Sequence, residues 1–511
     1  MEMRILSENV NMERLIGTNQ MQTMVEGEIT LPGGLREEAK VLHVGCMTVL
    51  NSSEALSDRV NVDGKVVFHV LYTQGDPNKI LSIEASADFS QSMEIVGVLP
   101  KMLTLTEAAI EHTEAACYNG RMTLKAILRL ATRLLSPMPV SVVTGIKEVD
   151  GLEMRTQTLP VKRMISHGSG THFLREEFEL SDALQVRDTL FGTARAFVTD
   201  ISGGQSRANI TGNVELEVYH ASDFLNRPLV MTHHSIPFEY AVDLSGAAGD
   251  ALEGDVSVLD VAVVSQENGG DNRILRCEIQ LMGSVRSDVM ERVTILEDAY
   301  TTLGNDLKMT TNRIVFRDGN NRGQAAESGK LMLMLPEGSP ASRTVLAGFA
   351  TPIITGAEQL GGRLSVEGIL EITLLYMTDD SKAPITLAME EAFQTTFALK
   401  TDTVDFLNLE ISDINVSGIT SDRVEMKYIL HARVNGITTQ LRPIITDIEQ
   451  IAAITNGGGI ALYYAQPGEG LWDIARHYRI KQEQLLSLNP DLKENELQPG
   501  QSIMVFKKEA K

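Results

Sequence analysis

The sequence predicts a mainly β protein in which three repeated β-sandwich or barrel-like domains are followed by a small βααβ domain. Two features lead to this prediction. Short segments with alternating apolar and polar residues recur through residues 1–455, separated by Asn-Gly, Asp-Gly and Gly-Gly turn signals. Beyond the glycine run at 456–459, the apolar residues follow the spacing of amphipathic helices instead.

The repeats are recognised by a strand with a central glycine. Its three copies read VNVDGKVVFHVLY, ANITGNVELEVYH and LSVEGILEITLLY, with the glycines at Gly64, Gly212 and Gly368. A phenylalanine follows each glycine by 25 or 26 residues, and a later strand opens with arginine in every copy. Because these landmarks keep nearly the same offsets, one β fold is expected in residues 1–150, 151–300 and 301–455.

Period-two patterning within each copy indicates half-buried antiparallel strands. In the first copy, for example, Val62, Gly64, Val66 and Phe68 fall on one strand face. A glycine inside a strand indicates either a β-bulge that bends the strand, the favoured interpretation here, or a close approach of another group.

The end of the chain predicts the order β-α-α-β. A first amphipathic helix is predicted from apolar residues at i, i+3, i+4 and i+7, namely Leu471, Ile474, Ala475 and Tyr478. A second helix, 482–488, is expected to stop where Asn-Pro follows it, and short apolar strands flank the pair. The glycine run 456–459 is interpreted as a flexible linker, so the domain at 460–508 is expected to move independently of the repeats.

Composition excludes several classes of function. The chain has 511 residues and a formal net charge of -23, with 45 basic against 68 acidic residues, so a nucleic-acid partner is not expected. Cys46, Cys117 and Cys277 lie far apart, which favours neither a disulfide framework nor a zinc site. The first residues lack a signal-peptide pattern and no apolar run is long enough to span a bilayer, so an unexported protein without membrane insertion is expected.

No segment carries a recognisable catalytic pattern. The segment HGSGTH at 167–172 lacks the lysine of a P-loop, and Ser169 within it lacks a GxSxG elbow. Two histidine pairs have no carboxylate or cysteine at a spacing that would complete a metal site: His167 with His172, and His233 with His234. Neither enzymatic activity nor a bound metal or cofactor is therefore expected.

The C-terminal segment resembles a LysM domain. The matching residues include Tyr464, Pro467-Gly468, Leu471-Trp472, Asn489-Pro490 and Pro499-Gly500. The resemblance implies a shallow groove that binds N-acetylglucosamine glycans in many relatives, formed here by two loops and neighbouring residues: Pro467, Gly468, Glu469, Gly470, Leu471, Trp472, Ile480, Asn489, Pro490, Asp491 and Leu492. Glu469-Gly470 departs from the family's Asp-Thr or Asp-Ser and removes a hydroxyl. Trp472 is open to two interpretations, a residue packed in the domain or an aromatic ligand contact.

The three repeats resemble the SPOCS domain of endospore coat morphogenesis proteins, and their combination with LysM is similar to SipL-type members of that group. This resemblance implies a non-enzymatic scaffold in the mother-cell cytoplasm, at the forespore surface and spore coat. Its LysM domain would bind the coat ATPase SpoIVA, and the repeats would contact other coat proteins. The alternative is a protein tethered to cortex or cell wall, whose LysM domain binds peptidoglycan.

Overall fold

A computed structural model gives the architecture of the chain. It describes these residues: 3–32, 39–267, 273–337, 344–378, 383–398, 404, 406–420, 422–452, 458–490, 492 and 497–507. Strands dominate this part of the chain, and two short helices lie near its C-terminal end. The predicted mainly β fold class is therefore confirmed.

The first six strands form two three-stranded antiparallel sheets, which together are called the first repeat. One sheet has the order β1-β6-β5, with β1 at Arg4–Thr30, β5 at Leu103–Tyr118 and β6 at Arg121–Lys147. The other has the order β2-β3-β4, with β2 at Ala39–Leu56, β3 at Arg59–Gln74 and β4 at Asp76–Glu94. β1 and β6, the first and last strands of the repeat, thus pair with each other, and their sheet is called the outer sheet. The sheet β2-β3-β4, whose strands lie between β1 and β6 in the sequence, is called the inner sheet.

The second repeat has the same topology. Its outer sheet, β11-β12-β7, consists of β7 (Leu152–Leu180), β11 (Ala251–Glu267) and β12 (Arg273–Thr301). Its inner sheet, β10-β9-β8, consists of β8 (Val186–Gly204), β9 (Arg207–Ser222) and β10 (Leu229–Asp243). A single turn of 3-10 helix, Asp182–Leu184, joins β7 to β8.

The third repeat repeats the arrangement again. Its outer sheet, β13-β18-β17, consists of β13 (Asp306–Met334), β17 (Phe406–Thr420) and β18 (Arg423–Ile451). Its inner sheet, β14-β15-β16, consists of β14 (Thr344–Leu360), β15 (Arg363–Met377) and β16 (Ile385–Phe397).

Each repeat buries a hydrophobic core between its two sheets. In the first repeat, Val66 and Phe68 of β3 belong to the same fully buried cluster as Leu124 and Leu128 of β6. The second and third repeats have corresponding clusters of their own. The alternating pattern of the sequence therefore places one face of every central strand inside a core, as period-two patterning requires.

The central glycines are sites of close approach. In the register of the inner sheets, Gly64 lies opposite Phe89, Gly212 opposite Phe238 and Gly368 opposite Phe393. A Cβ at these glycines would lie 2.5 Å, 2.6 Å and 2.6 Å from a carbon of the facing ring. The bulges themselves are in the neighbouring strands, between Leu50 and Ser52 and at the corresponding points of β8 and β14. The favoured interpretation, a bulge in the glycine strand itself, was therefore wrong.

The long outer strands also join the repeats to one another. Val10 and Val142 of the first repeat, Val161 and Val293 of the second and Ile444 of the third lie in one buried cluster. A second shared cluster contains residues seven positions after each central glycine, namely Leu71, Tyr219 and Leu375. The three repeats therefore pack against one another through equivalent positions.

The chain ends in the predicted βααβ domain. Its elements are β19 (Gly459–Tyr464), α1 (Leu471–Tyr478), α2 (Gln482–Leu488) and β20 (Ser502–Lys507). The two strands pair antiparallel, and Ile474, Leu485 and Ile503 lie in a common core. Residues 456 and 457 of the predicted linker lie outside the described residues, whereas Gly459 already belongs to β19.

Candidate functional site

The first loop of the predicted groove connects β19 to α1. Pro467 and Gly468 are exposed at its tip. The Glu469 carboxylate accepts hydrogen bonds from the Tyr463 hydroxyl at 2.7 and 2.9 Å and from the Gln466 backbone N–H at 2.9 Å. The hydrogen bond to Glu469 raises the pKa of Tyr463 to about 12. Glu469 therefore holds the loop in shape, and its carboxylate is already engaged within the domain.

The loop ends at the beginning of α1. The Gly470 N–H donates to the Asp473 carboxylate at 2.9 Å, which satisfies one of the free amides that precede a helix. Leu471 is buried in the domain core. Gly470 and Leu471 thus serve the folding of the helix, and glycine performs the cap without the family's hydroxyl.

The second loop follows α2. The Asn489 side-chain N–H groups donate to the carbonyls of Leu485 and Met504, both at 2.8 Å, and its oxygen accepts from the Met504 N–H at 2.8 Å. This amide therefore bridges α2 and β20. Pro490 is exposed, Leu492 packs against the domain core, and Asp491 lies outside the described residues.

Trp472 faces the second repeat. Its indole N–H donates to the Asp298 carboxylate at 2.7 Å, and the Tyr300 ring meets it edge-on with 5.0 Å between centroids. The Arg155 guanidinium lies 5.4 Å from the indole ring, within cation-π range. Trp472 is only 8% exposed. Of the two interpretations left open for this residue, packing is the one that the structure supports, although the packing is between domains.

Several polar contacts accompany Trp472 at this boundary. The Tyr300 hydroxyl donates to the Ile480 carbonyl at 2.8 Å, so Ile480 also belongs to the contact. Arg476 donates to Asp298 at 2.8 Å, and Arg479 donates to the Thr301 carbonyl at 2.9 Å and to the Thr301 hydroxyl at 2.7 Å. The expectation of an independently moving domain was therefore wrong, because specific contacts dock this domain on the second repeat.

Charge is complementary across this contact. The C-terminal domain contributes Arg476, Arg479 and Lys481, and the last lies 3.9 Å from Glu153. Burial, with Glu153 and Asp298 nearby, raises the pKa of the Tyr300 hydroxyl above its ordinary value, which keeps it a neutral donor. Sequence reasoning missed Asp298 and Tyr300, because their partners lie more than 170 residues away in the chain.

A strip of large apolar side chains covers the outer face of the β19-β20 sheet. In the register, Ile460 lies opposite Phe506, Leu462 opposite Met504, and Tyr464 extends the row. These five side chains are 39–75% exposed. We call them the apolar strip. The sequence carried a signal for it, since IALYY in β19 and SIMVF in β20 place apolar residues on both faces of the hairpin.

The reactive residues considered from the sequence make structural contacts. His172 stacks on Tyr240 with 4.7 Å between ring centroids, and His233 lies 3.1 Å from the Glu215 carboxylate. Burial raises the pKa of the Cys46 thiol to about 12, which holds it in its protonated form. Within the described ranges, no three His, Cys, Asp or Glu side chains cluster in a way that could hold a metal ion.

The described residues contain no helix that is both long and apolar enough to cross a membrane.

Comparison with family models identifies two classes of domain. Residues 39–117 match the SipL, SPOCS domain, and residues 463–506 match the LysM domain. The SPOCS match covers β2 to β4 and nearly all of β5 in the first repeat, and the LysM match covers the βααβ domain. No curated protein and no solved structure matches the chain.

The predicted combination of a SipL-type SPOCS domain with a C-terminal LysM domain is therefore confirmed. Both are binding domains without catalytic function, and together they indicate a sporulation-related adaptor.

Proposed function

We propose that this protein is a non-enzymatic adaptor of endospore coat assembly whose LysM domain binds a coat protein, the SpoIVA-like ATPase. In this proposal residues 1–150, 151–300 and 301–455 are SPOCS-like repeats that contact other coat proteins. The site of action is the forespore surface, on its mother-cell side. The SPOCS match supports the link to sporulation.

The apolar strip is the observation that carries the proposal. Five large apolar side chains share one exposed sheet face, and such patches on folded domains are typical of protein interfaces. Sugar recognition depends on polar groups that are free to bind hydroxyls. In the predicted groove, the carboxylate of Glu469 and the amide of Asn489 are both engaged within the domain. This arrangement favours a protein partner over a glycan.

The test replaces one side chain of the strip in the full chain. Leu462→Asp places a charge at the centre of the strip, where Leu462 is 57% exposed and its loss opens no cavity. Leu462 is a better probe than Leu492, which packs against the domain core. The matched control is Leu225→Asp, which changes an 80% exposed leucine between β9 and β10.

We expect Leu462→Asp to weaken capture of the purified ATPase by about tenfold or more, the size of an interface hot spot. The control should bind like the parent, and both variants should keep the parent circular dichroism spectrum. Unchanged ATPase capture by Leu462→Asp would contradict the strip as the binding surface. Binding of the parent to N-acetylglucosamine oligomers without any capture of the ATPase would replace the proposal with the cell-wall alternative.

A further inference from the structure

The docking contact between the LysM domain and the second repeat is centred on one carboxylate. Asp298 lies on β12 beside a β-bulge, where the register shifts between Leu296 and Asp298. Its Oδ1 accepts the N–H of Ala299 at 2.9 Å, within its own strand. Its Oδ2 accepts the indole N–H of Trp472 and a guanidinium N–H of Arg476. Among the described residues, the hydrogen bonds that this outward oxygen accepts thus come from the LysM domain.

The helix presents its contacts in a defined pattern. Trp472, Arg476 and Arg479 occupy positions i, i+4 and i+7, which lie on one face of a helix. Trp472 and Arg476 meet the carboxylate, and Arg479, in the C-cap position, reaches the backbone at the end of β12. This end of the second repeat therefore fits a helix end that carries an indole and two guanidiniums at those spacings.

The other repeats have the same bulge but lack this combination of residues. Counting from the bulge, Asp298 is equivalent to Gly145 on β6 and to Asp447 on β18. Two residues further on, Tyr300 is equivalent to Lys147 and Glu449. The Asp447 Oδ1 accepts the N–H of Ile448 at 2.9 Å, which is the same local role as that of Asp298 Oδ1. A carboxylate and a phenol occur together at these positions in the second repeat alone.

We infer that the bulged end of the second repeat is a dedicated receptor for the LysM helix, which holds the LysM domain in one orientation and hides Trp472. The contact is a latch, since the hydrogen bonds of Asp298 to Trp472 and Arg476 join the two domains, and their loss frees the helix face. The latch does not depend on what the LysM domain binds elsewhere.

The single tryptophan of the chain makes the latch directly measurable. In Asp298→Asn the side chain keeps one acceptor oxygen, which cannot serve Ala299, Trp472 and Arg476 together. In either orientation its new NH2 group faces at least one N–H donor. Hydrogen bonds to a charged group are strong enough that their loss should raise the open population about tenfold or more. The matched control is Asp447→Asn, which makes the same chemical change at the equivalent bulge, where the described residues of the LysM domain make no hydrogen bond to the carboxylate.

We expect Asp298→Asn to shift the tryptophan emission of the full chain to longer wavelength and to increase its quenching by acrylamide, with Asp447→Asn unchanged. Arg476→Gln removes the contact from the LysM side at a half-exposed position, so it should shift the emission in the same direction without risk to the β12 bulge. Parent-like quenching in both Asp298→Asn and Arg476→Gln would overturn the inference. So would a parent protein whose tryptophan is already as accessible as free tryptophan amide. Leu462→Asp should lose ATPase capture without a change in the emission spectrum. Because capture tests the apolar strip and emission tests the latch, the failure of one hypothesis can be told from the failure of the other.

Discussion

Gly64, Gly212 and Gly368 show how a single residue type can be required by a neighbour in the folded sheet. Each lies opposite a phenylalanine whose ring covers the glycine. A side chain there would also meet a carbonyl oxygen of the adjacent strand, as with Val49 beside Gly64. An aromatic ring over a strand glycine fills the space that the missing side chain leaves, and it pins the register of the pair.

Gly212→Ala should therefore destabilise the protein by about 1–3 kcal/mol, because the added methyl group overpacks a closed site. Its matched control is Gly204→Ala at the end of β8, where an added Cβ has nothing within 4 Å. Urea denaturation followed by circular dichroism measures both. Equal midpoints for the two variants would show that the ring moves aside and that the close approach is not restrictive.

At the scale of the element, three inner-sheet strands carry histidines that are buried, at His69 and His220, or half-buried, at His43. His43 on β2 stacks on Phe349 of the third repeat at 3.6 Å, and His69 on β3 stacks on Phe191 of the second repeat at 5.4 Å. His220 on β9 bonds Thr189 and Thr232 through its two ring nitrogens, both at 3.0 Å. Burial lowers the pKa of His43 to about 3 and those of His69 and His220 to about 4.

These histidines make stability depend on pH. The unfolded chain takes up protons at these imidazoles near pH 6.5, whereas the folded chain resists protonation until about pH 4. Unfolding therefore binds protons in this window, and the free energy of unfolding should fall as the pH drops from about 6.5 towards 4. The two buried histidines, His69 and His220, each contribute on the order of 3 kcal/mol to that loss.

Urea denaturation at pH 7.0, 5.5 and 4.5 measures the effect. His220→Gln keeps a polar side chain at the buried site without a titrating group, so its stability should fall less steeply over the same window. Parallel curves for the parent and this variant would show that His220 does not contribute.

At the scale of the whole molecule, buried charges tie the three repeats together. Glu13 on β1, Lys162 on β7 and Arg317 on β13 occupy equivalent positions. Each lies six residues after the first residue beyond the first register shift with the paired strand. Arg317 is 1% exposed, pairs with Glu13 and lies 2.9 Å from Asp288, which is also 3.5 Å from Lys162. Arg286 also pairs with Glu13.

The guanidiniums govern the ionisation of this network. Burial alone would raise the pKa of the Asp288 carboxyl, but Arg317 and Arg286 outweigh it and hold that pKa below its ordinary value. The equivalent position carries a negative charge in the first repeat, at Glu13, and a positive charge in the other two, at Lys162 and Arg317. Because exchanging the repeats would place these charges against other partners, the network favours a single arrangement of otherwise similar units.

Glu13→Gln should cost about 3–5 kcal/mol, because it leaves two buried guanidiniums with one carboxylate fewer. The control is Glu8→Gln, an exposed position on the same strand. Thermal unfolding of the two variants gives the comparison. Adding Arg317→Met to Glu13→Gln should recover part of the loss, and strict additivity of the two changes would contradict a shared network.

The amino-acid sequence by itself determined the repeated β architecture, the βααβ order of the last domain and the likeness to SPOCS and LysM domains. These features depend on local patterning, because the period of the apolar residues indicates whether a segment is a strand or a helix and which of its faces will be buried. The same reasoning placed the bulges in the glycine strands themselves, because the sequence of one strand does not show its register with the neighbouring strand. It also missed the apolar strip, although β19 and β20 carry apolar residues on both faces.

Tertiary structure alone decided where the LysM domain lies. The glycine run at 456–459 predicted a free domain, yet Trp472 docks on Asp298, a residue 174 positions earlier. Arg317 likewise finds Glu13 at a separation of 304 residues. The sequence does not indicate such pairs, because each partner belongs to a separate strand or helix whose apolar pattern shows only which of its own faces is buried. Their contact exists only when the repeats have packed together and brought distant chain segments within hydrogen-bond distance.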